Sequence, residues 1–207
     1  MLKRIKKYLY HIIDARVRYL LDEKFSSNHN PYNINFEDAS AIVGRANIIS
    51  GGENIYIGSN SFIGKYAWLS AFDAYGSQSF HPTISIGNNV TIGNFSCITA
   101  IENISIGDGC LFSEYVYLSD HYHGHDAAEY ISPSVQPLYT KGPVIIGENS
   151  FLGLRVCILP GVVLGKHCVV GSNSVVTRSF PDYSMVVGSP ARLIKRYNMD
   201  KKEWVPV

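Results

Sequence analysis

Large apolar residues recur at every sixth position through most of this chain. From Ile57 the sequence reads IGSNSF, IGKYAW and LSAFDA; from Ile86, IGNNVT, IGNFSC and ITAIEN; from Ile106, IGDGCL, FSEYVY and LSDHYH; and from Ile146, IGENSF, LGLRVC, ILPGVV, LGKHCV, VGSNSV and VTRSFP. The first residue of all fifteen hexads is aliphatic or aromatic, and the second is Gly, Ser or Thr except at Leu159. An amphipathic helix places apolar residues three and four apart and a half-buried strand places them two apart, so a strict period of six fits neither. It fits a short strand and a turn, repeated. One large side chain per strand points into a narrow prism, and a small residue follows where backbone turns tightly or is closely approached. Three such strands close a coil, and Ile146 to Leu164 is one uninterrupted coil. The expected fold is an all-β solenoid, a parallel β-helix of hexapeptide repeats. Each coil then pairs with the coils above and below it, and the open ends need caps.

The breaks in the period carry information too. Between Ala74 and Ile86 the register shifts through YGSQSFHPTIS, read here as a small excursion from the prism. Residues 120–143 leave the period altogether, and a loop of that length in a compact protein is usually functional or disordered. The expected organisation is therefore an N-terminal helix and cap region over 1–54, a β-helix over 55–181 with its loop excursion at 120–143, and a C-terminal extended segment with a terminal helix or tail over 182–207. Within residues 1–25, Leu2, Ile5, Leu9, Ile12, Ile13, Val17, Leu20 and Leu21 recur at helical spacing, and Lys3, Arg4, Lys6 and Lys7 crowd the first turns. An amphipathic helix is expected there, either capping the first coil or touching an anionic lipid surface peripherally.

Composition narrows the partners. With 46% apolar residues over 207 positions the chain can bury a core, and a formal charge of +1 with interleaved signs argues against nucleic acid. The cysteines at 97, 110, 157 and 168 form no CxxC pair and sit where neighbouring repeats carry Ser, Thr or Val, so they are expected to be small packing residues, not disulfides or metal ligands. No apolar signal core or small-residue cleavage site follows the basic N-terminus, and no segment reaches about 18 consecutive apolar residues. A cytoplasmic location is expected, with residues 1–25 offering contact at the inner face of the membrane.

The loop VYLSDHYHG, followed by KGPVIIGENSFLGLRVCILPGVVLGKHCVVGSNSVVTRSFPDYSMVVGSPARLIKR, resembles the hexapeptide-repeat acyltransferases. Within them it resembles the branch of maltose, galactoside and surface-polysaccharide O-acetyltransferases, over about residues 55–196. The resemblance implies a left-handed β-helix, against the usual right-handed crossover. It also implies a homotrimer, with acetyl-CoA as co-substrate in the groove between adjacent prisms and a loop of one subunit helping to close the site. A histidine general base would take the proton of an acceptor hydroxyl and return it to the departing thiolate, with no metal and no covalent acyl-enzyme.

Elementary chemistry agrees, because a sugar hydroxyl is far too weak an acid to ionise at neutral pH without a positioned base, and imidazole, with an ordinary pKa of about 6.5, suits that task. The stretch DHYHGHD offers His121, His123 and His125. Matching the family loop with a short gap selects His121 and counting without one selects His123; the first is preferred, and His125 reads as a surface residue. Alternating histidines also suggest zinc, as in the γ-class carbonic anhydrases of the same fold, but those need ligands spread across subunits and carry a different downstream sequence. No metal is expected.

The resemblance further places Asn94 and Asp120 at acceptor contacts. The Asn94 amide either bonds a hydroxyl or satisfies its own corner. Gly153, Leu154, Gly171, Ser172, Thr177, Arg178 and Arg192 fall at acetyl-CoA positions: the glycines and Ser172 beside the pantetheine arm, Thr177 and Arg178 at a Thr-Lys pair, and Arg192 near the nucleotide phosphates. Leu154 departs from the family, which has a small residue there close to the thioester. The expected function is O-acetylation of a sugar in a surface glycan or its precursor. A small-molecule acceptor (free sugar, serine or antibiotic) and a non-catalytic assembly role are the alternatives.

Overall fold

The computed structural model describes residues 24–25, 30–44 and 47–207. The six-residue period becomes the three parallel sheets of a β-helix. Side one stacks Asn35–Phe36, Ile55–Ile57, Thr83–Ile86, Asn103–Ile106, Val144–Ile146 and Val163–Leu164. Side two stacks Ile42–Gly44, Phe62–Ile63, Thr91–Ile92, Leu111–Phe112, Phe151–Leu152, Val169–Val170 and Ser184–Gly188. Side three stacks Ile48–Ser50, Trp68–Ala71, Cys97–Ala100, Tyr117–Ser119, Cys157–Ile158 and Val175–Val176.

Register follows the hexads: Ile57, Ile86, Ile106, Ile146 and Leu164 stand in line on side one, and Leu69, Ile98, Leu118, Ile158 and Val176 on side three. All fifteen first-position side chains are at most 3% exposed, so a single column of apolar residues fills the prism. The turn from side one to side two takes a left-handed conformation at Asn60, Asn89 and Asn149, each with φ of 56°, and at Gly109, the residue types that tolerate it best. At the next corner the same conformation is held by Tyr66, Phe95 and Tyr115. Their rings stack at centroid distances of 5.0 and 4.9 Å, with Arg155 5.5 Å beyond the Tyr115 ring, and this stacking offsets a backbone that bulky residues disfavour.

Two expectations change, and a third lies almost wholly outside the described residues. The expected N-terminal helix lies outside the described residues except at its end, where Lys24–Phe25 is a short strand antiparallel to Ile42–Gly44. The solenoid begins inside the stretch 1–54 assigned to a cap: Phe36, Val43 and Ile49 pair with Ile57, Ile63 and Leu69. Val43 and Ile49 are six apart and followed by Gly44 and Ser50, but Phe36 lies seven before Val43, and that extra residue hides the coil from a strict period. At the other end, 182–207 forms neither a helix nor a tail. Ser184–Gly188 continues side two, and Ala191–Asn198 and Glu203–Pro206 add to its edge as antiparallel strands. Along Ala191–Asn198 burial alternates with a period of two, which the basic residues mask in sequence. Among the described residues no helix is long and apolar enough to cross a membrane.

Both excursions leave from side three and meet each other. Residues 72–82 contain the hairpin Ala74–Tyr75 with Gln78–Ser79, and residues 120–143 contain the hairpin His121–His123 with Leu138–Thr140. The Gln78 amide accepts from the Leu138 N–H at 2.7 Å and donates to the Leu138 carbonyl at 3.1 Å, imitating a strand neighbour. Tyr75 donates its hydroxyl to the Ser134 carbonyl. Inside the long loop the buried Gln136 amide accepts from the Asp126 N–H and donates to the carbonyls of Asp126 and Ile131, which supplies the backbone partners that irregular structure lacks.

Candidate active site

Between the outer surface of side three and the two excursions lies a cavity of about 940 Å³. Its floor arises directly from the repeat, because the residue before each first position points outward. On successive coils those residues are Trp68, Cys97 and Tyr117, with Thr99, Leu159, Pro160 and Thr177 beside and beyond them. Its walls are Phe72 and Tyr75 from the shorter excursion and His121, Tyr122, His123, His125, Leu138 and Lys141 from the longer one.

His121 opens the long loop and lines the cavity with 10% of its side chain exposed. Behind it Asp120 is fully buried. One carboxylate oxygen accepts from the Ile101 N–H at 3.0 Å and lies 2.9 Å from His121 Nδ1; the other accepts from the N–H groups of Glu102 and Asn103, both at 2.8 Å. A buried carboxylate with four hydrogen-bond donors around it is held immobile. A neutral imidazole that donates its Nδ1 proton to such a carboxylate carries its lone pair on Nε2. Ser119 Oγ, 3.3 Å from Nδ1 and 2.9 Å from the His121 carbonyl, and the Phe72 ring, edge-on at 6.0 Å, complete the support. Asp120, expected among the acceptor contacts, is thus placed behind the imidazole with no exposed surface to offer a substrate.

His123 stands on the same strand but faces Tyr75, with Nδ1 3.3 Å from the phenol oxygen, and is exposed. His125 is exposed, with Nδ1 3.4 Å from the His123 carbonyl. Neither has a buried carboxylate behind it among the described residues. Among the described residues no three His, Cys, Asp or Glu side chains are grouped to hold a metal ion.

All four cysteines are free, and Cys110 and Cys168 are buried packing residues as expected. Cys97 differs, since it is part of the cavity floor. Burial pushes its thiol up to about 11, so at neutral pH it is a protonated, poor nucleophile.

Of the residues assigned to acetyl-CoA, Thr177 lines the cavity; Gly153, Leu154, Gly171 and Ser172 lie on the corner between sides two and three, and Arg178 and Arg192 are exposed outside it. The two glycines have a structural reason to be there. A Cβ on Gly153 would stand 2.7 Å from the Ser172 backbone nitrogen, so stacking of coils already requires that glycine, and one on Gly171 would stand 2.6 Å from a Val187 methyl, which would have to shift. Arg178 packs 5.2 Å from the Phe180 ring and Arg192 donates to the Ala191 carbonyl. Asn94 is also away from the cavity. Its carbonyl oxygen accepts from the Lys65 N–H at 2.9 Å and its amide donates to Glu114, which is the corner-satisfying alternative.

Comparison with known proteins gives this geometry a context. The family model described as the hexapeptide repeat of succinyl-transferase matches residues 143–178. Over 137 residues the chain is 35% identical to WbbJ of Escherichia coli (strain K12), named as a candidate lipopolysaccharide biosynthesis O-acetyl transferase; the match covers 64% of this chain and 68% of WbbJ. This chain belongs to the hexapeptide-repeat acetyltransferase family. As a hexapeptide-repeat acetyltransferase it is an enzyme of acyl transfer. It is also 32% identical over 146 residues to the galactoside O-acetyltransferase of the same organism, a match covering 69% of this chain and 66% of that enzyme. In fold it is similar to AntD, an N-acyltransferase from Bacillus cereus whose structure was solved with dTDP and coenzyme A, with a TM-score of 0.72, 21% identity, and 87% and 94% of the two chains covered.

Sequence reading of this acetyltransferase missed the wall formed by Phe72 and Tyr75, and Gln78, which ties that excursion to Leu138. The signal was the aromatic and polar content of the 72–82 irregularity, which departs from side three at the same corner as the histidine loop.

Proposed function

We propose that the chain is an acetyl-CoA-dependent O-acetyltransferase that modifies a sugar hydroxyl in a surface glycan or its precursor, with His121 as general base. The observation that carries this is the buried Asp120 carboxylate 2.9 Å from His121 Nδ1 at the edge of a large aromatic cavity. The acceptor hydroxyl gives its proton to Nε2 as its oxygen attacks the thioester carbonyl. Collapse of the adduct completes the ester bond, breaks the carbon–sulfur bond, and returns the proton to the leaving thiolate. The charge that appears on the imidazole faces the Asp120 carboxyl group, 2.9 Å from Nδ1. No relay through Cys97 is needed, and its protonated thiol is unsuited to one.

Coenzyme A as the donor is supported by family membership and by the coenzyme in the structure of AntD. Glycan acceptors are supported by the names of WbbJ and the galactoside enzyme and by aromatic rings at Trp68, Tyr117 and Tyr122 on which a sugar ring can lie. The cavity is open on one side, and the corner carrying Gly153, Leu154, Gly171 and Ser172 lies beyond it; a left-handed solenoid assembled as a homotrimer brings a second prism against that corner and makes the cofactor groove between them.

The test is release of coenzyme A from acetyl-CoA in the presence of a panel of glycans, sugar nucleotides and small hydroxyl compounds. Wild type should release it with a carbohydrate acceptor, and His121→Ala should lower turnover by about 10²- to 10⁴-fold with acetyl-CoA affinity unchanged. Retention of near-normal turnover by His121→Ala removes the assignment of the base.

A further inference from the structure

The repeat breaks its own rule once inside the cavity. On side three the second hexad position is Ser50, Ser70, Thr99, Ser119 and Thr177 on five coils and Leu159 on the sixth. The register pairs Leu118 with Ile158 and Ile158 with Val176, so Ser119, Leu159 and Thr177 succeed one another along the solenoid axis, one coil apart. Adjacent strands are separated by about 4.8 Å, which makes this a line of roughly 10 Å from Thr177 to the foot of the catalytic loop. Ser119 supports His121. Leu159 and Thr177 both line the cavity.

Leu159 cannot be explained as core, because it is half-buried on the outside of the prism while its neighbour Ile158 fills the interior. Nor can its backbone move aside. The Leu159 N–H donates to the Val176 carbonyl at 3.1 Å, and the Gly161 N–H donates to the Gly142 carbonyl at 3.0 Å, where the long loop returns to the solenoid. Gly161 is tied there sterically as well, since a Cβ on it would stand 2.6 Å from the Lys141 carbonyl oxygen. The backbone that carries this bulky apolar side chain is therefore held in place between the far end of the cavity, at Thr177, and the coil that supports the imidazole.

We propose that Leu159 is the residue that sets the length of acyl chain this enzyme transfers, closing the floor beside His121 so that an acetyl thioester fits and longer acyl groups do not. This rests on the acyl-CoA reading above, with the donor arm reaching His121 from the Thr177 side. Truncating Leu to Ala removes three carbons, and butyryl exceeds acetyl by two, so the space released matches the chain to be admitted. A methylene in a shaped apolar pocket changes selectivity by about 10- to 200-fold.

The experiment compares acetyl-, propionyl- and butyryl-CoA on wild type, Leu159→Ala, Leu159→Ser and Leu159→Phe, by calorimetric binding and by coenzyme A release with an accepted acceptor. Ser is the residue type that other coils carry at this position, so that variant preserves the repeat. Wild type should prefer acetyl. In the Ala and Ser variants the butyryl-to-acetyl ratio should rise about 10-fold or more, and the Phe variant should lose acetyl transfer. Ratios that stay within about twofold of wild type, or a wild type that takes butyryl as readily as acetyl, overturn the assignment of Leu159 while leaving the acyl-CoA reading intact. Absence of binding by every acyl-CoA to wild type overturns both.

Discussion

Replacing Asp120 with Asn changes one charge and almost no volume, yet it disturbs every hydrogen bond the carboxylate makes. That carboxylate serves four donors through two oxygens: Ile101 N–H and His121 Nδ1 on one, Glu102 and Asn103 N–H on the other. A carboxamide has one acceptor oxygen. Facing that oxygen toward Glu102 and Asn103 keeps two bonds, turns the amide NH₂ against the Ile101 N–H, and offers His121 Nδ1 a donor in place of an acceptor. The opposite orientation sets the NH₂ against two N–H groups, so the first is preferred. One buried N–H is then unsatisfied and the charge-assisted bonds are weakened, a loss of about 2 to 4 kcal/mol in stability. The imidazole is driven to the tautomer with its proton on Nε2, which cannot accept a proton from the acceptor hydroxyl, so turnover should fall by about 10²- to 10⁴-fold. Urea denaturation reads the first effect and coenzyme A release the second, with calorimetry checking that acetyl-CoA still binds. If Asp120→Asn unfolds near the wild-type urea concentration and turns over within about threefold of wild type, the Asp120–His121 pair does not control the chemistry.

Other substitutions separate roles that overlap in the sequence. Gly153→Ala should cost about 1 to 3 kcal/mol in urea denaturation because its Cβ meets backbone, whereas Gly171→Ala should cost less because its Cβ meets a Val187 methyl that can rotate away; equal costs would refute the coil-stacking explanation. Arg178→Ala and Arg192→Ala should raise the KM for acetyl-CoA with little change in kcat if they meet its phosphates, since such contacts bind ground and transition states alike; unchanged acetyl-CoA binding makes them ordinary surface charges. Burial holds Cys97 and Cys110 at about 11, above the ordinary thiol range. From about pH 9 to about pH 11 the unfolded chain loses these protons while the native one keeps them, so their contribution is full below that window and declines through it. The urea midpoint should fall over this range and fall less in a Cys97→Ser, Cys110→Ser double variant; equal slopes would contradict the burial effect.

The hexad spacing was enough to determine the β-helix, since no other regular structure repeats large apolar residues every six, and to mark 120–143, with its histidines, as the main break in the repeat. The sequence also held the Val43–Ile49 hexad, which a single inserted residue after Phe36 concealed. Which histidine has a carboxylate behind it was a tertiary matter. Asp120 stands next to His121 in sequence, but only closure of the previous coil brings the N–H groups of Ile101, Glu102 and Asn103 onto the carboxylate and seals it. The cavity was likewise invisible, because its floor comes from five coils and its walls from two excursions that meet through Gln78 and Leu138, residues 60 positions apart. A repeat is a local property and can be read one hexad at a time. A site assembled from residues on different coils depends on how those coils stack, and spacing along the chain does not encode which side chains then face one another.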